Sequence, residues 1–167
     1  MRKFDSVSAL HAHLKRSIID TIQNQITNIC IKVVQESVKK NVYDTYMPQG
    51  EYAYDRTFEL MNSVTIDNLK IGTKFATFEI IMDTDKINAY NRNGAFGGVG
   101  WNAHADVSYT EDTSEYIPMW IEEGTSGSLW DRDGAHYMEK SYHKLDADIP
   151  KELAMALRRE GWDVKVF

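Results

Sequence analysis

Cysteine is almost missing from this chain: Cys30 stands alone in 167 residues. A single thiol excludes an intrachain disulfide and a zinc site built from cysteines, and it makes a reducing compartment the simpler expectation. No apolar run approaches the ~18 residues that a membrane span requires. Behind Met1-Arg2-Lys3-Phe4-Asp5 there is no apolar signal-peptide core, so a cytoplasmic start is expected. Basic charge is also short, with 19 Lys/Arg against 25 Asp/Glu and a formal charge of -6. An acidic body argues against a protein that grips DNA by neutralising phosphates, though not against a surface that DNA slides past. The deficit is uneven. Residues 1–40 carry seven basic and three acidic side chains, the remainder twelve and twenty-two, so the first segment is +4 and the rest is -10. No internal repeat and no βαβ rhythm is present.

What the chain does have is one domain's length and an ordinary apolar fraction, 43%, enough for a core without staples. Leu10, Leu14, Ile18, Ile22, Ile26, Ile29 and Val33 recur at helical steps and predict an amphipathic N-terminal helix over residues 1–41, capped by Ser6 or Ser8. Counted from that cap it spans about 34 residues and ~50 Å, more than the ~40 Å breadth of a compact globule of this size. It must therefore break near residues 24–28 or project and bury its stripe on a neighbour. Residues 43–56 read as a Tyr-rich loop, and residues 60–71 and 73–83 as an antiparallel strand pair joined at Gly72. Residues 84–115, rich in Asn and Gly, read as a long flexible loop expected to order on assembly. A helical turn stopped by Gly124 follows, then a helix from Ala135 with a second start at Asp148-Ile149-Pro150 and a stop at Gly161. The tail alternates apolar and polar residues and is a candidate strand. The fold class is α+β, in a single domain spanning residues 1–167.

Each candidate for chemistry has a plainer reading. His11 and His13 are two residues apart on a helix and point away from each other, so they do not clasp one metal. The run Gly94-Ala95-Phe96-Gly97-Gly98-Val99-Gly100 lacks the Gly-Lys-Ser/Thr ending of a phosphate loop. Asp131-Arg132-Asp133-Gly134 is a turn, because a calcium loop aligned on Gly134 places Leu129 and Lys140 at ligand positions. Gly124-Thr125-Ser126-Gly127-Ser128 falls short of a nucleophile elbow. Cys30 belongs to the apolar face of the helix, where a buried thiol is inert. Glu111-Asp112 and Glu122-Glu123 read as solvated acids. No catalytic residue, metal ligand or cofactor is expected. The competing expectation is a small metal-dependent or hydrolytic enzyme that gathers His104, Asp106 and His136 with Asp131 or Asp133.

Three stretches carry a resemblance. Tyr116-Ile117-Pro118-Met119-Trp120-Ile121-Glu122-Glu123-Gly124-Thr125-Ser126-Gly127, then Gly134-Ala135-His136-Tyr137-Met138-Glu139-Lys140-Ser141, together with Val42-Tyr43-Asp44-Thr45-Tyr46 leading to Tyr54-Asp55-Arg56, resemble the small tail-completion and neck proteins of long-tailed bacteriophages. The resemblance implies a virion protein of the neck, in a ring expected to be hexameric, where the head meets the tail tube. The ring would contact neighbouring neck and tail-tube proteins and let DNA pass through its lumen, with no catalysis and no membrane. A closed ring repeats one heterologous interface and needs two different patches per subunit. The +4 helix beside the -10 body is an electrostatic candidate for them. Subunit or partner contacts are expected at Leu10, Leu14, Ile18, Ile22, Ile26, Phe96, Trp101, Trp120, Trp130, Val164 and Phe167.

Overall fold

A computed structural model describes residues 4–45, 58–72, 75–87, 114–126 and 132–166. The N-terminal helix does not break. It runs through α1 (Val7–Thr21), a π-helical turn (Ile22–Ile26), α2 (Thr27–Val38) and a second π-helical turn (Lys39–Tyr43), with Ser6 Oγ accepting from the Ala9 N–H (3.1 Å) at its start. The π turns answer a feature of the sequence. Leu10, Leu14, Ile18, Ile22 and Ile26 are spaced by four throughout, as are Val34, Val38 and Val42. On a 3.6-residue helix each such step drifts ~40° around the axis. A turn closed by an i to i+5 bond, as from Asp44 N–H to Lys39 O (2.8 Å), takes up the drift and keeps the stripe on one face. Side chains occupy carbonyls along the first π turn: Asn24 Nδ2 donates to Asp20 O (3.0 Å), Thr27 Oγ1 to Gln23 O (2.6 Å) and Asn28 Nδ2 to Asn24 O (2.6 Å).

Residues 59–62 are a short helix, α3 (Glu59–Asn62), not the start of a strand. The strands are β1 (Val64–Ile71) and β2 (Ala76–Met82), antiparallel, with Gly72 N–H donating to Phe75 O (2.8 Å) at the turn. Pairing runs Val64 to Met82, Ile66 to Ile80 and Asp67 to Glu79, then resumes at Lys70 with Thr77. The extra residue of β1 is absorbed at Asn68, whose φ is +52° and whose Nδ2 donates to Glu79 Oε2 (2.8 Å). That bulge is why Val64, Ile66, Leu69 and Ile71, spaced two, three and two apart, share the half-buried face. The expected loop over residues 84–115 begins instead with a 3-10 turn (Thr84–Lys86) and a buried Ile87, and Ser114 is buried at its other end. Residues 88–113 lie outside the described residues.

After α4 (Ile117–Glu123), Gly124 (φ +88°) ends the helix as expected and enters a two-residue ladder, β3 (Gly124–Thr125) with β4 (Arg132–Asp133), where a turn and an elbow-like loop are expected from sequence. α5 (Tyr137–Arg159) runs unbroken through Pro150, without the second start. An interior proline costs ~3 kcal/mol. It is tolerated because both halves of α5 are held. Tyr137 and Ser141 are buried in the first half, Ala154, Ala156 and Leu157 in the second. Gly161 (φ +92°) closes the helix, with Gly161 N–H on Arg158 O (2.9 Å) and Trp162 N–H on Leu157 O (3.1 Å). The tail, residues 162–166, joins no strand among the described residues. The main core gathers Val34, Val38, Val42, Leu60, Val64, Ile87, Ile117, Ala135 and Tyr137, beneath α2, the hairpin, α4 and the start of α5.

Candidate functional site

Of the residues that carry the phage-neck resemblance, Tyr46, Tyr54, Asp55, Arg56 and Gly127 lie outside the described residues, and Val42, Tyr43, Ile117, Trp120, Ala135 and Tyr137 gather at one junction. Tyr137 is 1% exposed and its hydroxyl donates to Pro118 O (3.1 Å), while its carbonyl accepts from Ser37 Oγ (2.8 Å) and Ser141 Oγ (2.5 Å). α2, α4 and α5 are thus tied at one residue. Burial, with the Glu122 carboxylate and Tyr43 nearby, raises the Tyr137 hydroxyl far above the usual phenol range. Glu122 is not a solvated acid. Its Oε2 accepts from the Met138 N–H (3.0 Å) and its Oε1 from the Glu139 N–H (3.2 Å), which caps α5 from another helix. Ala135 N–H on Ile121 O (2.9 Å) and His136 N–H on Glu122 O (3.1 Å) bring the chains so close that a Cβ on Gly134 would lie 2.6 Å from Glu122 O. His136 takes φ +50° to enter α5. The aromatic and glycine signature is therefore a structural lock.

At the other end of the molecule, His13 lies between Phe4 (ring centroids 5.3 Å apart) and Trp162 (5.7 Å), so it is not the plain surface histidine expected. A polar cleft of about 310 Å³ opens beside it, lined by His13, Arg16, Ser17, Asp20, Thr21, Asn24, Gln25 and Glu160. The first π turn thus contributes Asn24 and Gln25 to a surface rich in donors and acceptors of both charge signs. Cys30 is buried in the long helix, and burial pushes its thiol up to about 11.

Of the residues expected at subunit contacts, Ile22 and Ile26 are buried within the chain itself, and Leu10, Leu14 and Ile18 are half-buried. Trp120 stacks on Tyr116 (5.8 Å) and packs against the core. Val164 is half-buried, its carbonyl held by Arg158 Nε (3.0 Å) and Nη2 (2.6 Å). Phe96, Trp101, Trp130 and Phe167 lie outside the described residues, as do His104, Asp106 and Asp131 of the enzyme reading. No group of three or more His, Cys, Asp or Glu among the described residues is placed to hold a metal ion, and no helix among them is long and apolar enough to cross a membrane.

The family model of YomN matches residues 6–160, nearly the whole chain and all of these elements up to the end of α5. The chain belongs to the YomN family. This is a family of phage proteins, so the lock at Tyr137, the capped α5 and the π-turned helix belong to a phage protein. No curated protein and no solved structure matches the chain.

Proposed function

We propose that the chain is a non-enzymatic structural component of the phage neck, forming a ring of identical subunits that completes the tail top and joins it to the head connector. The observation that carries this reading is the amount of apolar surface left over once the core is built. Val7 is 70% and Phe75 63% exposed, at the start of the long helix and at the hairpin turn, and Phe58, Tyr116, Met119 and Val166 are exposed as well. Leftover apolar side chains on separate elements suit the two unlike patches of a closed ring. Charge supports the same reading. Among the described residues from α3 to His136, nine are acidic and three basic, so a lumen lined by this half would pass DNA without holding it. Neighbouring neck and tail-tube proteins are the other partners, and the virion collar is the location. Electron microscopy of intact particles tests this: the expected outcome is a ring of this chain between head and tail, and its absence from the collar ends the reading.

A further inference from the structure

The C-terminal segment, residues 162–166, alternates like a strand but pairs with no strand among the described residues. Trp162 and Val164 are half-buried, while Asp163 and Lys165 are exposed, the alternation of a half-covered strand. Among the described residues, the backbone N–H groups of residues 163–166 find no partner, although Arg158 anchors the Val164 carbonyl from the other side. Unpaired backbone of this kind is a template for strand addition.

A matching edge exists elsewhere in the molecule. β1 packs on α2, leaving β2 as the outer strand, free of bulges and proline and unpaired along its far edge among the described residues. The chain's own tail does not reach it. Trp162 sits on His13, whereas the Met82 end of β2 packs on the cluster around Val38. Twenty-five residues of helix separate His13 from Val38, roughly 37 Å at 1.5 Å per residue. Five extended residues span at most ~18 Å. Only a second copy can bring tail and edge together. Net charge favours that match modestly: β2 and the turn after it carry Glu79, Asp83 and Asp85 against Lys86, which pairs with Asp83 (2.8 Å), whereas the tail and the end of α5 carry Arg158, Arg159 and Lys165 against Glu160 and Asp163.

We propose that residues 162–166 of one copy add as a strand to the free β2 edge of the next. This rests on the ring reading and gives it a contact: tail and edge are different surfaces, so the interface is heterologous and repeats around an axis. The test is solution mass, by light scattering of the full chain from micromolar to millimolar, for wild type, Lys165→Pro and Lys165→Ala. In a strand the N–H and C=O of one residue face the same edge, so Arg158 occupies the edge of Val164 and the opposite edge carries the N–H of Lys165. Proline at that position removes a ladder N–H and leaves the carbonyl that Arg158 holds. Wild type and Lys165→Ala should form multimers, with Lys165→Pro at least tenfold weaker than Lys165→Ala. In the multimer, hydrogen exchange should slow at residues 163 and 165 and along β2. If Lys165→Pro assembles like Lys165→Ala, or the tail is protected while β2 is not, the strand contact is wrong and the ring reading stands. If wild type stays at one chain's mass both in solution and on particles, both fall.

Discussion

At Gly134 an added Cβ would meet main-chain atoms of Glu122 and Glu123, at 2.6 to 2.8 Å, and neither strand of chain can give way without opening the β3–β4 ladder. Gly134→Ala is expected to destabilise by ~1–3 kcal/mol, read as a lower denaturant midpoint at unchanged slope. Tyr137→Phe leaves the buried Pro118 carbonyl without its donor and should cost about 1–2 kcal/mol by the same measurement. The two raised acids also set a pH limit. Folded Cys30 keeps its proton up to about 11, while the unfolded thiol loses it near 9.0. The folded state therefore binds more protons in that window, so stability is complete below about pH 9 and falls as pH rises toward 11. Thermal midpoints measured from pH 8 to 11 should decline, and the decline should flatten in Cys30→Ala. Cys30 was legible from its place in the apolar periodicity. Glu122 was not, because a cap supplied by another helix 16 residues upstream leaves no local pattern.

Among the elements, the long helix and the hairpin were legible from apolar spacing, and their irregularities were written in that same spacing. Steps of four imply a wider turn than 3.6 residues, and the two, three, two rhythm of Val64, Ile66, Leu69 and Ile71 implies one extra residue in β1. At that bulge, Asn68→Val places a β-branched side chain at φ +52° and should cost ~1–2 kcal/mol, whereas Asn68→Gly should be nearly neutral apart from the lost bond to Glu79. Pro150 misleads by sequence because the rule for helix starts is local. The continuity of α5 comes from burial on both sides of the proline. Replacing Pro150 with Ala should therefore stabilise, by up to ~3 kcal/mol, with a rise in melting midpoint of a few degrees per kcal/mol.

Across the whole molecule, α5 touches both the core around Tyr137 and the first half of the long helix, which couples the two ends. A single cooperative unfolding transition is expected, with calorimetric and van't Hoff enthalpies equal, and two separated transitions would show independent halves. Length, composition and periodicity by themselves determined the α+β class, the great helix, the antiparallel pair and the Gly124 and Gly161 stops, because each depends on neighbours within a few residues. Only the tertiary structure decided how much of the apolar stripe remains available. It buries Ile22, Ile26 and Val33 within the chain, leaves Leu10, Leu14 and Ile18 half-covered, and turns the aromatic and glycine signature into the Tyr137 junction. Burial is shared between segments far apart in sequence, and no periodicity in one segment records which other segment will cover it.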